Sequence, residues 1–561
     1  VTRIEHTLRG SWTPFGGADA PLPPHALRWL RARTGLDVSA PQVPVGPNSA
    51  FPVPDSTLPA AARDALAAVV GANHLLLDRA ARLGRAGGLS YLDLLRHRGF
   101  GELAVPDAVL LPADPGAAQR VLEVCAEHDV GVVPFGGGTS VVGGVTALRG
   151  DKPAVVVLDL LRLDRLVSVD PVSRVAVLQA GVRGPDAERL LAGRGLTLGH
   201  LPQSFERATV GGFAATRSAG QASGGYGRFE DMVEGVRLAT PSGEWRLGAG
   251  PASAAGPDLR RLVLGSEGTL GVITEVALRV RPRPVLVRYE GVALDGWEAG
   301  SAAMRELAQR HALADVTRLS DGEETEVSLA LAGGWQGAAL RAYLAARRVS
   351  EPCLLVLGWE VASPWELAMR RAATLRVLRR YGAVRLGRTA GQAWRRGRFA
   401  GPRQRDALLD VGVCVETLET ATHWSRLSTL REAVRDALVG ALAAPGRTPV
   451  VMCHVSHAYE TGASLYFTVL VPRAADDPIG QWQRAKAAAC RAIAERRDGP
   501  LGPAPLGTIT HHHAVGLDHA PYLAGEIGAL GVNVLRAVKQ RLDPSGILNP
   551  GKLLPPTGPA D

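Results

Sequence analysis

The chain is 561 residues long, 46% hydrophobic and 21% charged, with a formal net charge of +9. Those proportions describe a globular protein of about three to four domain-sized units with room for a large buried core, and exclude a disordered or fibrous chain. Only four of the 63 basic residues are lysine, and the basic side chains are interleaved with 54 acids along the whole length, so the positive charge is not a nucleic-acid footprint.

Residues 1 to about 100 carry helical patterns broken by Pro21-Leu22-Pro23-Pro24 and by the proline-rich stretch from Pro41 to Pro54. Val105 to Pro112 reads as a short strand closed by proline, and Pro115 to Asp129 as an amphipathic helix with Val121, Leu122 and Cys125 on one face. Gly131 ends that helix, and Val132-Val133-Pro134 leads into Phe135-Gly136-Gly137-Gly138-Thr139-Ser140. Three consecutive glycines leave backbone free to take positive φ and to turn its N–H groups inward, a concave row of donors suited to a pyrophosphate. A Rossmann fingerprint would need glycine where Val141 stands, and a P-loop would need Gly-Lys-Ser/Thr after the loop, so this is a phosphate loop of a third kind.

Ala154 to Leu160 is a buried-strand run, and Leu166 to Leu178 alternates across an Asp170-Pro171 turn as a hairpin does. Pro185 marks the first turn of a helix through Leu191. Residues 101–284 thus alternate strands and helices. Residues 285–505 carry long Ala/Arg/Leu helices (Ser301 to His311, Trp365 to Tyr381, Trp424 to Leu442) between β-rich stretches such as Cys353 to Gly358 and Ser464 to Val471, a second α+β unit. Residues 506–561 return to loop and helix, closing on Asp543-Pro544-Ser545-Gly546-Ile547-Leu548-Asn549-Pro550-Gly551-Lys552.

Four more segments mix glycine with hydroxyls or imidazoles. They are His200-Leu201-Pro202-Gln203-Ser204 with Thr209-Val210-Gly211-Gly212; Thr216-Arg217-Ser218-Ala219 continuing to Tyr226 and Asp231; Gly265-Ser266-Glu267-Gly268-Thr269-Leu270-Gly271-Val272-Ile273; and His511-His512-His513. Each of the first three lets backbone approach a large polar cofactor. Three adjacent histidines cannot share one direction in a strand or a helix, so at most two are expected to face one site, and no three-histidine metal centre is expected from the run. A tight turn, a packed core tyrosine at Tyr466 and a solvated Arg405 are the bland readings of the same residues.

Together these motifs resemble the FAD-linked oxidase family, also described as vanillyl-alcohol-oxidase-like with a PCMH-type FAD-binding domain. The resemblance covers residues 10 to 555. It implies an α+β fold in which a PCMH-type FAD-binding domain of two α+β subdomains carries an α+β cap. Within that family, Gly199-His200-x-Pro202-x-Ser204, Tyr226-Gly227-x-x-Glu230-Asp231, Gly462-Ala463-Ser464-Leu465-Tyr466-Phe467 and the histidine run are most similar to the alkyldihydroxyacetonephosphate synthases. That branch exchanges the acyl chain of acyl-dihydroxyacetone phosphate for a fatty alcohol through a flavin N5 adduct, with no net redox change.

Carried over position by position, the resemblance implies FAD contacts from Pro134, Phe135, Gly136, Gly137, Gly138, Thr139, Ser140, Gln203, Ser204, Thr209, Gly211, Gly212, Thr216, Arg217, Ser218, Ala219, Glu267, Gly268, Thr269, Leu270, Gly271, Val272 and Ile273. Tyr466 is implied as the proton-transferring group, with His511, His512 and His513 near the phosphate end of the substrate. Arg405, Arg318 and His200 are implied as substrate-facing. A phenol exchanging protons near neutral pH is expected to have its pKa brought well below ~10. Thr139 stands where covalently flavinylated relatives carry histidine, so non-covalent FAD is expected.

Two motifs depart from the synthase pattern. The His-Glu-Pro-Asp-Ser segment lacks both carboxylates here, and the tryptophan-rich N-terminal motif is reduced to Ser11-Trp12-Thr13-Pro14-Phe15-Gly16. The rival reading is a FAD-linked oxidase or dehydrogenase of a 2-hydroxy acid or other alcohol. Its metal-binding stretch corresponds here to His454-Val455-Ser456-His457 and to Tyr466 in place of a histidine ligand, so no metal is expected. No apolar run approaches the ~18 residues that span a bilayer. The opening residues show no apolar leader core, and five scattered cysteines form no Cys-x-x-Cys pair. A cytoplasmic location without a nucleic-acid partner is therefore expected, and the resemblance implies a homodimer acting on a lipid-like small molecule, with peripheral membrane contact.

Overall fold

The computed structural model describes residues 22–37, 52–499 and 501–555; the Ser11–Gly16 motif lies outside them. Three sheets organise the chain. The first places strands in the order Leu75–Leu76, Ala108–Leu110, Ala154–Asp159, Val130–Phe135, the last three parallel. Every residue of Ala154–Asp159 is buried, as expected of a Val-rich parallel strand covered on both faces. The helix Pro115–Glu127 packs on this sheet with Val121, Leu122 and Cys125 inward. Its start is set by Asp114, whose carboxylate accepts the Ala117 N–H at 2.9 Å, and by proline in the first turn.

The second sheet is antiparallel, in the order Leu166–Asp170, Val175–Gln179, Val272–Arg279, Val233–Thr240, Gly243–Leu247. The hairpin across Asp170 forms at its edge: the Asp170 carboxylate accepts the Val172 and Ser173 N–H groups and closes the turn. The third sheet has seven antiparallel strands, in the order Val384–Leu386, Leu286–Asp295, Pro352–Val361, Val316–Ser320, Val450–Val455, Gly462–Pro472, Val413–His423. Helices including Trp297–Gln309, Pro364–Arg379, Leu427–Leu442 and Pro478–Ala494 bury their apolar stripes in one core with this sheet.

The first hundred residues distribute over both units. Helix Ala60–Val70 and strand Leu75–Leu76 join the first sheet's core, while Leu30, Leu36, Tyr91, Leu92, Leu94 and Leu95 pack into the core of the seven-stranded sheet. The C-terminal residues return to the first sheet. Val132 exchanges backbone hydrogen bonds with Ile547 and Asn549, and the Asn549 amide donates to the carbonyls of Gly144 and Glu267.

Candidate active site

The glycine loop leaves the C-terminal end of Val130–Phe135, where a parallel strand opens toward a ligand crevice. Its glycines are required. A Cβ on Gly136 would stand 2.4 Å from Thr209 Oγ1, one on Gly137 would stand 2.3 Å from the Arg207 carbonyl, and one on Gly138 (φ +63°) would stand 2.4 Å from the Phe135 ring. The Ser140 hydroxyl accepts the Gly144 N–H at 2.9 Å and so folds the far end of the loop. This side-chain-free concavity fits a diphosphate, and FAD is the group it would hold.

Several implied FAD residues gather round the loop. Thr209 caps the short helix Val210–Ala215, and Gly211 packs a Cβ's width from Ala180. Thr216 closes the same helix through a hydroxyl bond to the Gly212 carbonyl. Gly268 lies against the Pro134 ring, and Leu270, Gly271, Val272 and Ile273 enter the second sheet beside Leu238 and Ala239. Gln203 meets Gln221 at 3.3 Å. Arg217 turns to Glu230 at 2.6 Å, and Ser218 to His200 at 3.1 Å. The two oxygens of the Glu267 side chain accept the N–H groups of Val515 and Gly516, both at 2.8 Å.

Tyr466 stands on Gly462–Pro472 directly opposite His454 on one neighbouring strand and Glu419 on the other. Its ring stacks on His454 (centroids 4.8 Å, 16° between planes) and on His512 (6.0 Å, 21°), and meets His513 edge-on at 5.3 Å. His511 Nδ1 and His512 Nδ1 share a hydrogen at 2.9 Å, one donating and the other accepting; His511 Nε2 pairs with the Tyr459 hydroxyl at 2.7 Å. All three adjacent histidines therefore reach one cluster, against the expectation of two at most. The run is neither strand nor helix, so the alternation rule does not bind it.

One buried carboxylate makes that possible. Glu419 accepts the N–H groups of His511 (2.6 Å), His512 (3.0 Å) and His513 (2.8 Å) and the Thr510 hydroxyl (2.7 Å). Burial opposes its ionisation, but it is held well below the ordinary carboxylate range beside His512, His513 and His511, where with the imidazoles neutral the support comes from the N–H groups of that run and the Thr510 hydroxyl. Burial in turn pushes the pKa of His511, His513 and His457 well below the usual imidazole value and lowers those of His512 and His454. The imidazoles are neutral at pH 7, able both to donate and to accept. Tyr466 moves opposite to expectation: burial pushes its phenol up to about 12, so it stands at neutral pH as a protonated acid.

The implied substrate residues divide. Arg318 joins the cluster, donating to His454 Nδ1 at 2.9 Å and to Glu324 at 2.7 Å. Arg405, on Gly401–Asp410, donates to the Leu89 carbonyl and lies 3.5 Å from the buried Glu416 carboxylate. His200 lies deep beside the cluster, close enough to His512 for their charges to interact. It is 1% exposed, sits edge-on to Phe213 and Phe229, and burial drives its pKa down to about 3.

Glu419 and Glu324 carry the cluster, yet nothing in the sequence marks them apart from other strand or helix acids. His457 was visible only inside the rival's metal motif. It stacks on His511 at 5.0 Å, and its Nδ1 bonds Ser223 Oγ at 2.6 Å. Among the described residues, His457, His511 and His512 form the one group whose ligand atoms, within 4.8 Å of one another, could hold a metal ion. The histidine run is also tied to the glycine loop. Leu517 N–H donates to the Val142 carbonyl, and Arg228 donates to the His511 carbonyl at 2.8 Å.

The chain matches the family described as FAD binding domain over residues 106–248 and FAD linked oxidases, C-terminal domain, over residues 283–553. An alkyldihydroxyacetonephosphate synthase of Dictyostelium discoideum is 31% identical over 489 residues, covering 85% of this chain and 78% of its own length. One of Trypanosoma brucei brucei is 31% identical over 504 residues, covering 88% and 80%. A solved alkyldihydroxyacetonephosphate synthase structure superposes with a TM-score of 0.78 at 27% identity, covering 94% of this chain and 92% of that one.

Proposed function

The chain belongs to the alkyldihydroxyacetonephosphate synthase family of FAD-linked oxidases, and from that premise we propose that it replaces the acyl group of an acyl-dihydroxyacetone phosphate by a fatty alcohol. The observation that carries this reading is the cluster of a protonated Tyr466, neutral imidazoles and a buried Glu419 clamp, tied by backbone bonds to the segment following the glycine cradle.

In that exchange the C1–O bond to the acyl group breaks, the carboxylate leaves, and the alcohol oxygen forms the new C1–O bond; no electrons are gained or lost overall. FAD, held non-covalently at Gly136–Ser140, supplies the electron-accepting ring. Tyr466 Oη, fully protonated at rest, donates a hydrogen bond to the departing acyl oxygen, and the proton lost by the incoming alcohol balances the departing carboxylate. His512 and His513 flank the phenol and hydrogen-bond the substrate's phosphate end without adding charge of their own. Arg318 fixes His454 behind the tyrosine ring, and Arg405 presents a fork to the acyl end.

A fatty alcohol reaches such a site from a lipid surface, so peripheral membrane contact by a cytoplasmic homodimer belongs to the same proposal. Among the described residues no helix is long and apolar enough to cross a membrane. The test is product analysis with ¹⁸O-labelled hexadecanol. Label retained in the ether oxygen supports the exchange; an unlabelled product, or an aldehyde from the alcohol, refutes it.

A further inference from the structure

Arg183 precedes the helix Gly184–Ala192 as its N-cap and is 3% exposed. Among the described residues none of its three guanidinium nitrogens has a hydrogen-bond partner. A buried guanidinium with no hydrogen bond is strongly unfavourable, because attraction to neighbouring carboxylates replaces only part of its lost hydration. The two carboxylates that act on it are already engaged. Asp159 Oδ2 accepts Arg85 Nε and Nη2 at 3.0 and 2.9 Å, while its Oδ1 accepts the Leu161 N–H. Asp186 is paired with Arg189 at 3.0 Å. Arg207, itself 5% exposed and attracted to the Asp406 carboxylate, also repels Arg183.

The position of this excess charge is informative. Arg183 bridges Thr209 across the backbone, and Thr209 Oγ1 is the atom against which Gly136 is packed. The Arg207 carbonyl occupies the same relation to Gly137. The backbone of Arg183 therefore lies one rung behind the glycine cradle. The first N–H groups of the nine-residue helix beside it add partial positive charge.

We propose that Arg183, supported by Arg85 and Arg207, forms a built site for a phosphate group beside the glycine cradle. The ligand is a phosphate ester or diphosphate, which matches a guanidinium fork and brings the missing negative charge. Two sources share that chemistry: the diphosphate of the cofactor and the phosphate of the substrate. The inference does not rest on the transferase reading, since both arms of its test are read without turnover.

The experiment compares holoenzyme of the wild type with Arg183→Met. The release rate of FAD on dilution is followed by flavin fluorescence. Thermal stability is measured in inorganic phosphate against chloride at matched ionic strength. If the cofactor supplies the anion, the variant releases FAD about tenfold faster or more, the worth of a charged hydrogen bond. If the substrate supplies it, FAD release is unchanged, and phosphate raises the melting temperature of the wild type and not of the variant. A variant that matches the wild type in both readouts overturns the proposal. So does a variant that fails to fold, because removing a cation with no partner relieves the protein, and failure would reveal a protein partner for Arg183.

Discussion

Replacing Glu419 by alanine removes the acceptor that organises the histidine run. Four donors converge on its two oxygens: the Thr510 hydroxyl and the N–H groups of His511, His512 and His513. Glu419 is 1% exposed, and the three backbone donors have no alternative acceptor among these bonds. Each buried donor left unsatisfied costs about 1–3 kcal/mol, so three of them amount to roughly 3–6 kcal/mol after some relaxation and water entry. At roughly 2–4 °C per kcal/mol for a domain-sized cooperative unit, the melting temperature of the holoenzyme falls by about 6–24 °C. Turnover falls further than stability suggests. Displacing the imidazoles from Tyr466 by about 1 Å costs on the order of a hundredfold. Differential scanning fluorimetry and steady-state rates well below the new melting temperature read the two effects separately. A Glu419→Ala enzyme with wild-type melting and wild-type turnover would refute the clamp. Glu419→Gln keeps one oxygen and is predicted to fall between the two.

Other perturbations have equally defined outcomes. Gly137→Ala drives a methyl group to 2.3 Å from the Arg207 carbonyl, so the purified variant has a flavin-to-protein absorbance ratio far below wild type; full loading contradicts the cradle. Tyr466→Phe keeps flavin and fold but loses at least about a hundredfold in turnover, the lower range for a lost hydrogen-bond donor to developing negative charge; an active variant removes Tyr466 from the chemistry. Acid lability follows from His97, His200 and His519, whose pKa values burial lowers to about 4, 3 and 3. The unfolded chain binds protons there below about pH 6.5 and the folded one does not, so stability is full above that pH. It declines on acidification by about 4 kcal/mol per pH unit down to about pH 4. Urea midpoints that stay flat from pH 7 to 5 refute this. Elemental analysis of the purified enzyme is predicted to show no stoichiometric metal at His457, His511 and His512, because Ser223, Tyr459 and the His511–His512 pair already occupy ring nitrogens; one zinc or manganese per chain would recast the cluster as a ligand set.

What was legible in the sequence is what depends on local chemistry. The helix from Pro115 announced itself by the period that sets Val121, Leu122 and Cys125 on one face, and the glycine loop by three residues without Cβ atoms. The seven-stranded sheet left recognisable β-rich runs, but the order of its strands did not show, because it is set by pairing over long separations such as Glu419 with Tyr466. The splitting of the first hundred residues between two cores was hidden for the same reason. Site chemistry misled where it depends on burial. Tyr466 was expected to need a lowered pKa, and enclosure raises it to about 12. His200 sits in a motif that matches a substrate-facing segment, yet Phe213 and Phe229 hold it within the flavin unit. Glu267 lies among flavin-loop residues, and its side chain also anchors Val515 and Gly516. Glu419 and Arg183 gave no signal at all, since a clamp and an unpaired cation exist only once the chain has closed around them.

The central claim is that this flavin site handles an acylated ketone phosphate without net oxidation. The most direct measurement adds an acyl-dihydroxyacetone phosphate to the FAD-loaded protein under anaerobic conditions and follows the oxidised-flavin absorbance band. The account predicts bleaching by the ketone phosphate alone, recovery when a long-chain alcohol is added, and an alkyl ether product by mass spectrometry. An unchanged spectrum in fully loaded protein, or bleaching by an alcohol or hydroxy acid alone with oxygen needed for recovery, would contradict it.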